Sequence, residues 1–448
     1  MSAYAEHIKT VCERFDKALA DTGFESTLVY SGQPRVDFLD DNAPPYRVNP
    51  LFKYWVPVTE SPKSAIFYRK GSQRPIVYLF QARDFWHAPV NVPEEEWQQY
   101  VDLKIIDDLS IMTDDIGSEL SNTAFIGEDF AEPVHSWNVK ARNPQNLIDH
   151  LHFHRAIKTE WELENLREAN KLAAKAHVAA KEAFYAEKSE LEIHHAYLAA
   201  INFRESQVPY NSIVALNSHS AILHYDVYDT EPPKQFRSFL IDAGARYRGY
   251  CADITRSYAY EEGFYADLVE AMDNAQKELL SEIKPGVNYY DLHVSMHLKV
   301  AKILSDFGFI NGDAQSIYDK GYTSAFMPHG LGHFIGLQVH DVGGFLKSDD
   351  GSSYERSERH PFLRLLRDIE EGQVFTIEPG LYVVDQLLKE HKDSDDINWD
   401  KVDELRPYGG VRIEDSIVVG KDGNNENLTR DAFKALGAEE GSLVGSIK

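Results

Sequence analysis

Five residues in short, distinctive settings could ligate metal ions. They are Asp242 and Asp253 in IDAGARYRGYCADITR, His333 in MPHGLGHFIGLQVHD, Glu378 in FTIEPG and Glu414 in GGVRIEDSIVV. Four carboxylates and one imidazole are too few for two separate closed cages. They suit two divalent ions that share bridging carboxylates and a bridging water, the layout of a two-metal hydrolase. Oxygen-rich ligation with one imidazole and no thiolate favours Mn²⁺, with Co²⁺ or Zn²⁺ as the other choices, over a structural zinc site.

The spacing says how the ligands meet. Asp242 ends the apolar run SFLID, and AGARYRGY, with glycines at 244 and 249, suits a hairpin that folds Asp253 back beside it. Two carboxylates that close repel each other unless a cation lies between them. Strand-end aspartates capping turns would give the same pattern. His333 sits among Gly330, Gly332 and Gly336, which would let the backbone pass close to a ligand. A hydrogen-bonded core histidine is the other reading. This run is no dinucleotide fingerprint, because the glycine spacing differs and no strand–helix unit frames it. Glu378 follows the apolar VFTI and Glu414 lies inside VRIEDSIVV, so each is an acid within an apolar strand that needs a partner. Strand alternation puts Arg412, Glu414 and Ser416 on one face and Asp415 on the other, with Arg412 free to orient a carboxylate by a bidentate contact. His224, His329 and His340 crowd these runs and could hydrogen-bond an oxyanion or shuttle a proton. Cys251 shares the strand face of Asp253 and reads as a small buried residue.

These runs need a scaffold. The chain has 448 residues with 43% hydrophobic content, which suits two packed domains. Residues 3–22 read as a helix ending near Gly23. Strands are expected at 26–31, 65–68, 76–80, 103–106 and 122–126, and helices at 93–101 and 108–119, giving an α/β domain over residues 1–155. The run DHLHFHR (149–155) places His150, His152 and His154 at strand spacing, with all three rings on one face that could bind a metal but, with no carboxylate or thiolate motif beside it, reads as a solvated strand face. The second domain, 156–448, opens with helices at 160–185 and 190–204. Strands follow at 212–216, 236–242 and 247–259, then helices at 264–283 and 290–307. The rest reads as strand-rich, broken by charged insertions at 346–371 and 385–406.

Lys and Arg number 46 against 72 Asp and Glu, a net charge of −26. This argues against nucleic acid and anionic membranes as partners. Two cysteines, Cys12 and Cys251, exclude a disulfide framework and fit a reducing cytoplasm. The charged amphipathic N-terminus has no apolar signal core, and no stretch approaches membrane-spanning length.

The five motifs, in this order, resemble the metal-dependent pita-bread peptidases, over essentially the whole chain. The wording FLDDNAPPYRVNPLFKYW, HFHRAIKTEWELENLREAN and HPFLR is most similar to the bacterial Xaa-Pro dipeptidase (prolidase) group, which includes the organophosphorus acid anhydrolases. The resemblance implies an α/β N-terminal domain and an α+β pita-bread catalytic domain. It implies hydrolysis of Xaa-Pro dipeptides by a hydroxide bridging two Mn²⁺ ions, held by Asp242, Asp253, His333, Glu378 and Glu414, with Asp253 and Glu414 bridging. Glu378 would be the proton shuttle. His224, His329 and His340 would bind substrate and stabilise the intermediate, Arg412 would support the pocket, and Tyr210, Tyr290 and Val339 would wall it. Arg364, fourteen residues before Glu378, would grip the free carboxylate of the C-terminal proline. A homodimer is implied, with Asp41 reaching the neighbouring subunit's site. Phosphotriester or phosphofluoridate hydrolysis is an expected side activity, because a tetrahedral phosphorus ester resembles the amide's transition state. Two other readings stay open: an aminopeptidase P acting on longer Xaa-Pro peptides, and a non-catalytic acidic binding protein.

Overall fold

The structure, a computed structural model, describes residues 2–86 and 94–438. It divides into two compact units. The first is the chain to Arg155 with Thr159–Glu164 and Leu346–Ser353; the second is Ala156–Lys158, Asn165–Phe345 and the chain from Tyr354.

In the first unit, helix α1 (Ala3–Thr22) starts on the Ser2 side chain and ends at Gly23, whose φ of 75° is the left-handed conformation that glycine adopts at least cost. Strands β1 (Ser26–Tyr30), β2 (Ala65–Arg69), β3 (Ile76–Phe80), β4 (Asp102–Ile106), β5 (Ala124–Ile126) and β6 (Ala141–Arg142) form one mixed sheet in the order β4-β3-β2-β1-β5-β6. Helix α2 (Pro50–Trp55) lies between β1 and β2 in sequence and α3 (Leu109–Ile116) follows β4. Leu28, Tyr30, Phe67, Tyr78 and Phe125 of the sheet pack with Met112 and Ile116 of α3, while Phe15 of α1 meets Trp55 at 4.7 Å between ring centres. The helix expected at 93–101 is a single 3₁₀ turn, Glu96–Tyr100, and its first residue, Pro93, lies outside the described residues.

The histidine run corrects the strand reading. Residues Gln145–Arg155 form helix α4, and Leu147, His150, Leu151 and Arg155 make its buried stripe at a period of 3.6. His150 and His154 therefore share a face, and His152 lies opposite. That face is not merely solvated. Lys17 Nζ lies 2.6 Å from Asp349 Oδ2 and 3.1 Å from His150 Nε2, and His154 Nε2 lies 3.0 Å from the same aspartate oxygen.

In the second unit, helices α5 (Glu160–Tyr185), which begins in the first, and α6 (Glu190–Ile201) precede a sheet of β7 (Ile213–Leu216), β8 (Ser238–Asp242) and β11 (Thr255–Ala259), ordered β11-β8-β7. The long strand expected at 247–259 is broken. The short ribbon β9 (Arg246–Tyr247) and β10 (Tyr250–Cys251) turns the chain before β11. Helices α7 (Phe264–Leu280), α8 (Tyr289–Asp306), α9 (Ala314–Asp319) and α10 (Tyr322–Phe326) follow. The C-terminal strands are β12 (Val374–Ile377), β13 (Gly380–Tyr382), β14 (Gly410–Arg412), β15 (Asp415–Val418) and β16 (Glu426–Asn427). They pair as β12-β15-β16 and β13-β14, both antiparallel. Short helices Asp385–Leu388 and Trp399–Leu405 fill the second charged insertion, and helix Leu428–Ala435 closes the described chain where strands were expected.

The core of this unit holds a histidine whose neutrality is testable. His177 of α5 is fully buried, with Nε2 2.9 Å from Ala243 O, and desolvation lowers its pKa to about 3. The unfolded chain takes up a proton near pH 6.5 that the folded ring refuses, so stability falls as pH drops through the window from 6.5 to about 3. At pH 5 the loss is about 2 kcal/mol. Urea unfolding of chelator-treated protein at pH 7 and pH 5 checks this. His177→Gln is expected to flatten the difference by that amount, and an unchanged difference would refute it.

Candidate metal centre

Each candidate ligand is delivered by backbone pairing. Asp242 closes β8 and stands opposite Thr255 of β11, with Asp253 two residues before it. Ala243 N donates to Ile254 O at 3.0 Å and Ala252 N to Ala245 O at 2.9 Å, so the chain does fold back between the two aspartates. Glu414 lies between β14 and β15 and bridges Thr255, its N–H donating to Thr255 O at 3.0 Å. Glu378 directly follows β12. The His333 segment runs beside that strand, with Thr376 N donating to His333 O at 2.9 Å and Glu378 N to Leu331 O at 2.8 Å. This contact explains a glycine. A Cβ on Gly332 would lie 2.1 Å from Thr376 O and 2.4 Å from Tyr289 Oη. Gly332 thus makes room for the protein's own strand rather than for a ligand, and Gly336 makes room for a side chain, since its Cβ would meet Asp341 Oδ2 at 2.4 Å.

The side chains converge on His333. Its Nε2 lies 3.5 Å from Asp253 Oδ2, 3.7 Å from Glu378 Oε1 and 3.9 Å from Glu414 Oε1. Its Nδ1 lies 2.9 Å from Phe334 O, which places the proton on Nδ1 and leaves Nε2 as a free donor atom. The Tyr210 hydroxyl spans the aspartates, 2.8 Å from Asp242 Oδ1 and also within hydrogen-bond reach of Asp253 Oδ1. Thr255 Oγ1 donates to Glu414 Oε2 at 2.9 Å, whereas Glu414 Oε1 is buried with no hydrogen-bond partner among the described residues. A buried carboxylate oxygen left unpaired beside other carboxylates is costly, and a cation is the partner this donor set fits.

The electrostatics agree. Burial raises Asp242, partly offset by Arg412; burial, then Asp253 and Glu378, raise Glu414 well above the ordinary range. Burial pushes Glu378 to about 7. Burial would raise Asp253 as well, but the hydrogen bond and charge of His333 reverse the sign. Desolvation would lower His333, yet Asp253 and Glu378 together hold it up.

The remaining sequence candidates surround this cluster unequally. Arg412 Nη2 donates to Asp242 Oδ2 at 2.9 Å, a contact through one nitrogen, not the bidentate pair expected; its Nη1 donates to Tyr382 Oη at 2.9 Å. His329 Nε2 lies 2.9 Å from the same tyrosine oxygen and Nδ1 3.8 Å from Glu378 Oε2, and desolvation with the Arg412 charge lowers its pKa to about 4. His340 opens to solvent on one side but stands edge-on to His333 at 4.5 Å. Desolvation, then the charges of His333 and Arg364, lowers it to about 4. His224 and Arg364 are exposed, and the His224 charge bears on both His329 and His340. Val339 is half-buried. Tyr290 turns toward His360, 6.0 Å between ring centres, while its neighbour Tyr289 is buried, donates to Thr376 O at 2.7 Å and feels Glu378 and Glu414. Asp41 belongs to the first unit, in an exposed turn where its N–H donates to Asp40 Oδ1 at 2.7 Å. The sequence reading passed over Thr255, Tyr289 and Tyr382. For Tyr382 a signal exists in EPGLY, since a Cβ on Gly380 would lie 2.2 Å from its hydroxyl oxygen.

This fold and donor set define a metallopeptidase: residues 164–421 match the model for metallopeptidase family M24 and residues 2–153 the model for the Xaa-Pro dipeptidase N-terminal domain, and the chain belongs to that family. Among curated proteins it is similar to Xaa-Pro dipeptidase 2 of Idiomarina loihiensis, 89% identical over 98% of this chain and 100% of that one. The Xaa-Pro dipeptidase of Shewanella pealeana is 45% identical over 96% and 97% of the two chains. Aminopeptidase P from E. coli with the inhibitor Pro-Leu shares the fold at 22% identity, with a TM-score of 0.73 over 96% of each chain. The α/β N-terminal and pita-bread catalytic architecture expected from the sequence is the architecture found. No helix among the described residues is long and apolar enough to cross a membrane.

Proposed function

We propose that this protein is a metal-dependent Xaa-Pro dipeptidase. The observation that carries the reading is the convergence of His333 Nε2 on Asp253, Glu378 and Glu414 at 3.5, 3.7 and 3.9 Å, in a chain 89% identical to a protein of that name. Asp242, Asp253, His333, Glu378 and Glu414 would hold two divalent ions, with Mn²⁺ the best match to a carboxylate-rich set. Such ions supply an acidified water at neutral pH and polarise the scissile carbonyl.

The chain's own groups do the rest. Glu378 would serve as the proton shuttle, standing 3.7 Å from His333 Nε2 and 3.8 Å from His329 Nδ1. His340, held neutral, would offer an N–H to the carbonyl oxygen as it gains charge, while His329, with Nδ1 on Gly330 O and Nε2 on Tyr382 Oη, would shape that side of the pocket. His224 adds a third imidazole at the exposed rim. Arg412 and Tyr210 fix the orientation of Asp242. Tyr210, Tyr290 and Val339 wall the pocket, and Arg364 anchors the free carboxylate of the substrate. A homodimer in which Asp41 serves the neighbouring copy, in the cytoplasm, completes the reading; Cys12 and Cys251 form no disulfide, which supports a reducing compartment.

The test is hydrolysis of Leu-Pro beside Leu-Pro-Gly, after chelation and after adding Mn²⁺. Turnover of the dipeptide alone, restored by Mn²⁺, is expected. Equal or faster cleavage of the tripeptide would replace the reading with an aminopeptidase P, and silence on both would turn attention to phosphotriesters. Arg364→Ala is expected to raise KM for Leu-Pro about 10- to 100-fold, the worth of a hydrogen bond to a charged group. An unchanged KM would remove Arg364 from substrate binding.

A further inference from the structure

A second group of metal-ligand atoms lies outside the five residues above. His293 and His297 sit one turn apart on α8, and His360 reaches them from the irregular segment before Arg364. One nitrogen from each lies within 4.8 Å of the others. The rings meet around one point, with centres 4.5 Å (His293–His297), 4.3 Å (His293–His360) and 4.6 Å (His297–His360) apart. All three are buried, at 1%, 1% and 6% exposure. We propose that His293, His297 and His360 form a third metal site, built for a borderline ion such as Zn²⁺ and separate from the carboxylate-rich centre.

Three observations carry this. First, His297 Nδ1 lies 2.9 Å from Thr323 Oγ1, a hydroxyl that can accept the Nδ1 proton, and in that tautomer the Nε2 lone pair faces the cluster. His360 Nε2 is 3.1 Å from Tyr318 Oη, and with the proton on Nε2 its Nδ1 is the ligand atom. Second, His293 Nε2 and His297 Nε2 lie 3.1 Å apart. Two nitrogens bound to one tetrahedral ion at about 2.0–2.1 Å stand about 3.3 Å from each other. Third, the buried Nδ1 of His293 has no hydrogen-bond partner among the described residues, so no neighbour on that side dictates which ring nitrogen carries the proton. Desolvation keeps all three rings neutral, with His297 lowered to about 3 and His360 to about 4, so protons do not compete for the ligand atoms.

Two similar clusters do not qualify. At His150, His154 and Asp349 the ammonium of Lys17 already stands where a cation would, 2.6 Å from the aspartate. At Glu190, His219 and Asp229 the glutamate accepts from Leu216 N, His219 Nδ1, Tyr225 Oη and Asp229 N, all within 2.8 Å. At the histidine triad the neighbouring cation, Arg359, lies over the Tyr318 ring at 3.7 Å from its centre.

Three imidazoles without a carboxylate or thiolate select Zn²⁺, Co²⁺ or Ni²⁺ over Mn²⁺ and leave a fourth position open. The ion would tie α8 to the segment carrying Arg364, four residues after His360, and so steady that side chain. The site does not depend on the proposed peptidase activity, and its test reads metal directly. Zn²⁺ bound by chelator-stripped full-length protein is counted by equilibrium dialysis for wild type, His297→Gln and His360→Gln. Each variant is expected to bind one ion fewer. In a Glu414→Gln background, Co²⁺ is expected to give the intense visible band of four-coordinate cobalt, lost on adding His360→Gln. Equal stoichiometry in all three proteins, or a cobalt band indifferent to His360, overturns the proposal. His360 lies on an irregular segment, so its variant decides the matter even if His297→Gln does not fold.

Discussion

Glu414→Gln is expected to lower kcat/KM for a Xaa-Pro dipeptide by about 10³-fold or more, equivalent to about 4 kcal/mol of transition-state stabilisation. Glu414 is the most buried carboxylate facing His333, at 2% exposure, and its Oε1 has no hydrogen-bond partner among the described residues. An amide keeps the hydrogen bond from Thr255 Oγ1 but removes the charge with which Glu414 would hold a cation. The same change is expected to leave chelator-treated protein at least as stable as wild type. It relieves repulsion from Asp253 and Glu378 without opening a cavity. Activity should therefore fall while the metal-free melting temperature holds or rises. A fall in both would mean that Glu414 is a structural residue whose loss disrupts the fold.

The largest effect on stability is expected one residue away. Asp415 sits on the opposite face, fully buried, and accepts from Arg256 Nη2 at 2.8 Å, Arg430 Nε at 2.6 Å and Asn427 Nδ2 at 2.8 Å. Arg430 continues to Asp273 and Gln276, each at 2.8 Å. Burial alone would raise this acid, but Arg430 and Arg256 hold it at about 2. Asp415→Asn leaves buried guanidinium groups undercompensated, and breaking such a pair costs about 3–5 kcal/mol. Arg256 also donates to Glu414 O and Thr255 O at 2.8 Å, so metal affinity should weaken along with the fold. Urea unfolding at pH 7, with and without Mn²⁺, measures both. A change below about 1 kcal/mol would show that the arginines find other partners.

The paired fates of Glu414 and Asp415 show how much was legible beforehand. A strict period of two in VRIEDSIVV assigned them to opposite faces, and they do lie in different environments, one beside His333 and one between two arginines. The helix at Glu160–Tyr185 and the strand at Ile76–Phe80 were legible to the residue, because local propensity and burial pattern agreed there. The run 149–155 was misread because histidines at alternate positions imitate a strand. What decided it was the buried stripe of Leu147, His150 and Leu151, whose period shows only against a packed neighbour. The break at β9–β10 was missed for a related reason. Tyr250 and Cys251 pair back onto Tyr247 and Arg246, a register that only the folded chain selects.

The sequence by itself determined the ligand types, their order along the chain and the strands that carry them, since these follow from side-chain chemistry and short-range periodicity. Only the tertiary structure decided which atoms meet. It set His333 Nε2 against three carboxylates from three separate segments, buried Tyr289 in the field of Glu378 and Glu414, and directed Arg412 to Asp242 through a single nitrogen. It also gathered His360 to His293 and His297 across more than sixty residues of chain. Contacts of that range depend on the packing of whole strands and helices, so no local pattern of residues encodes them.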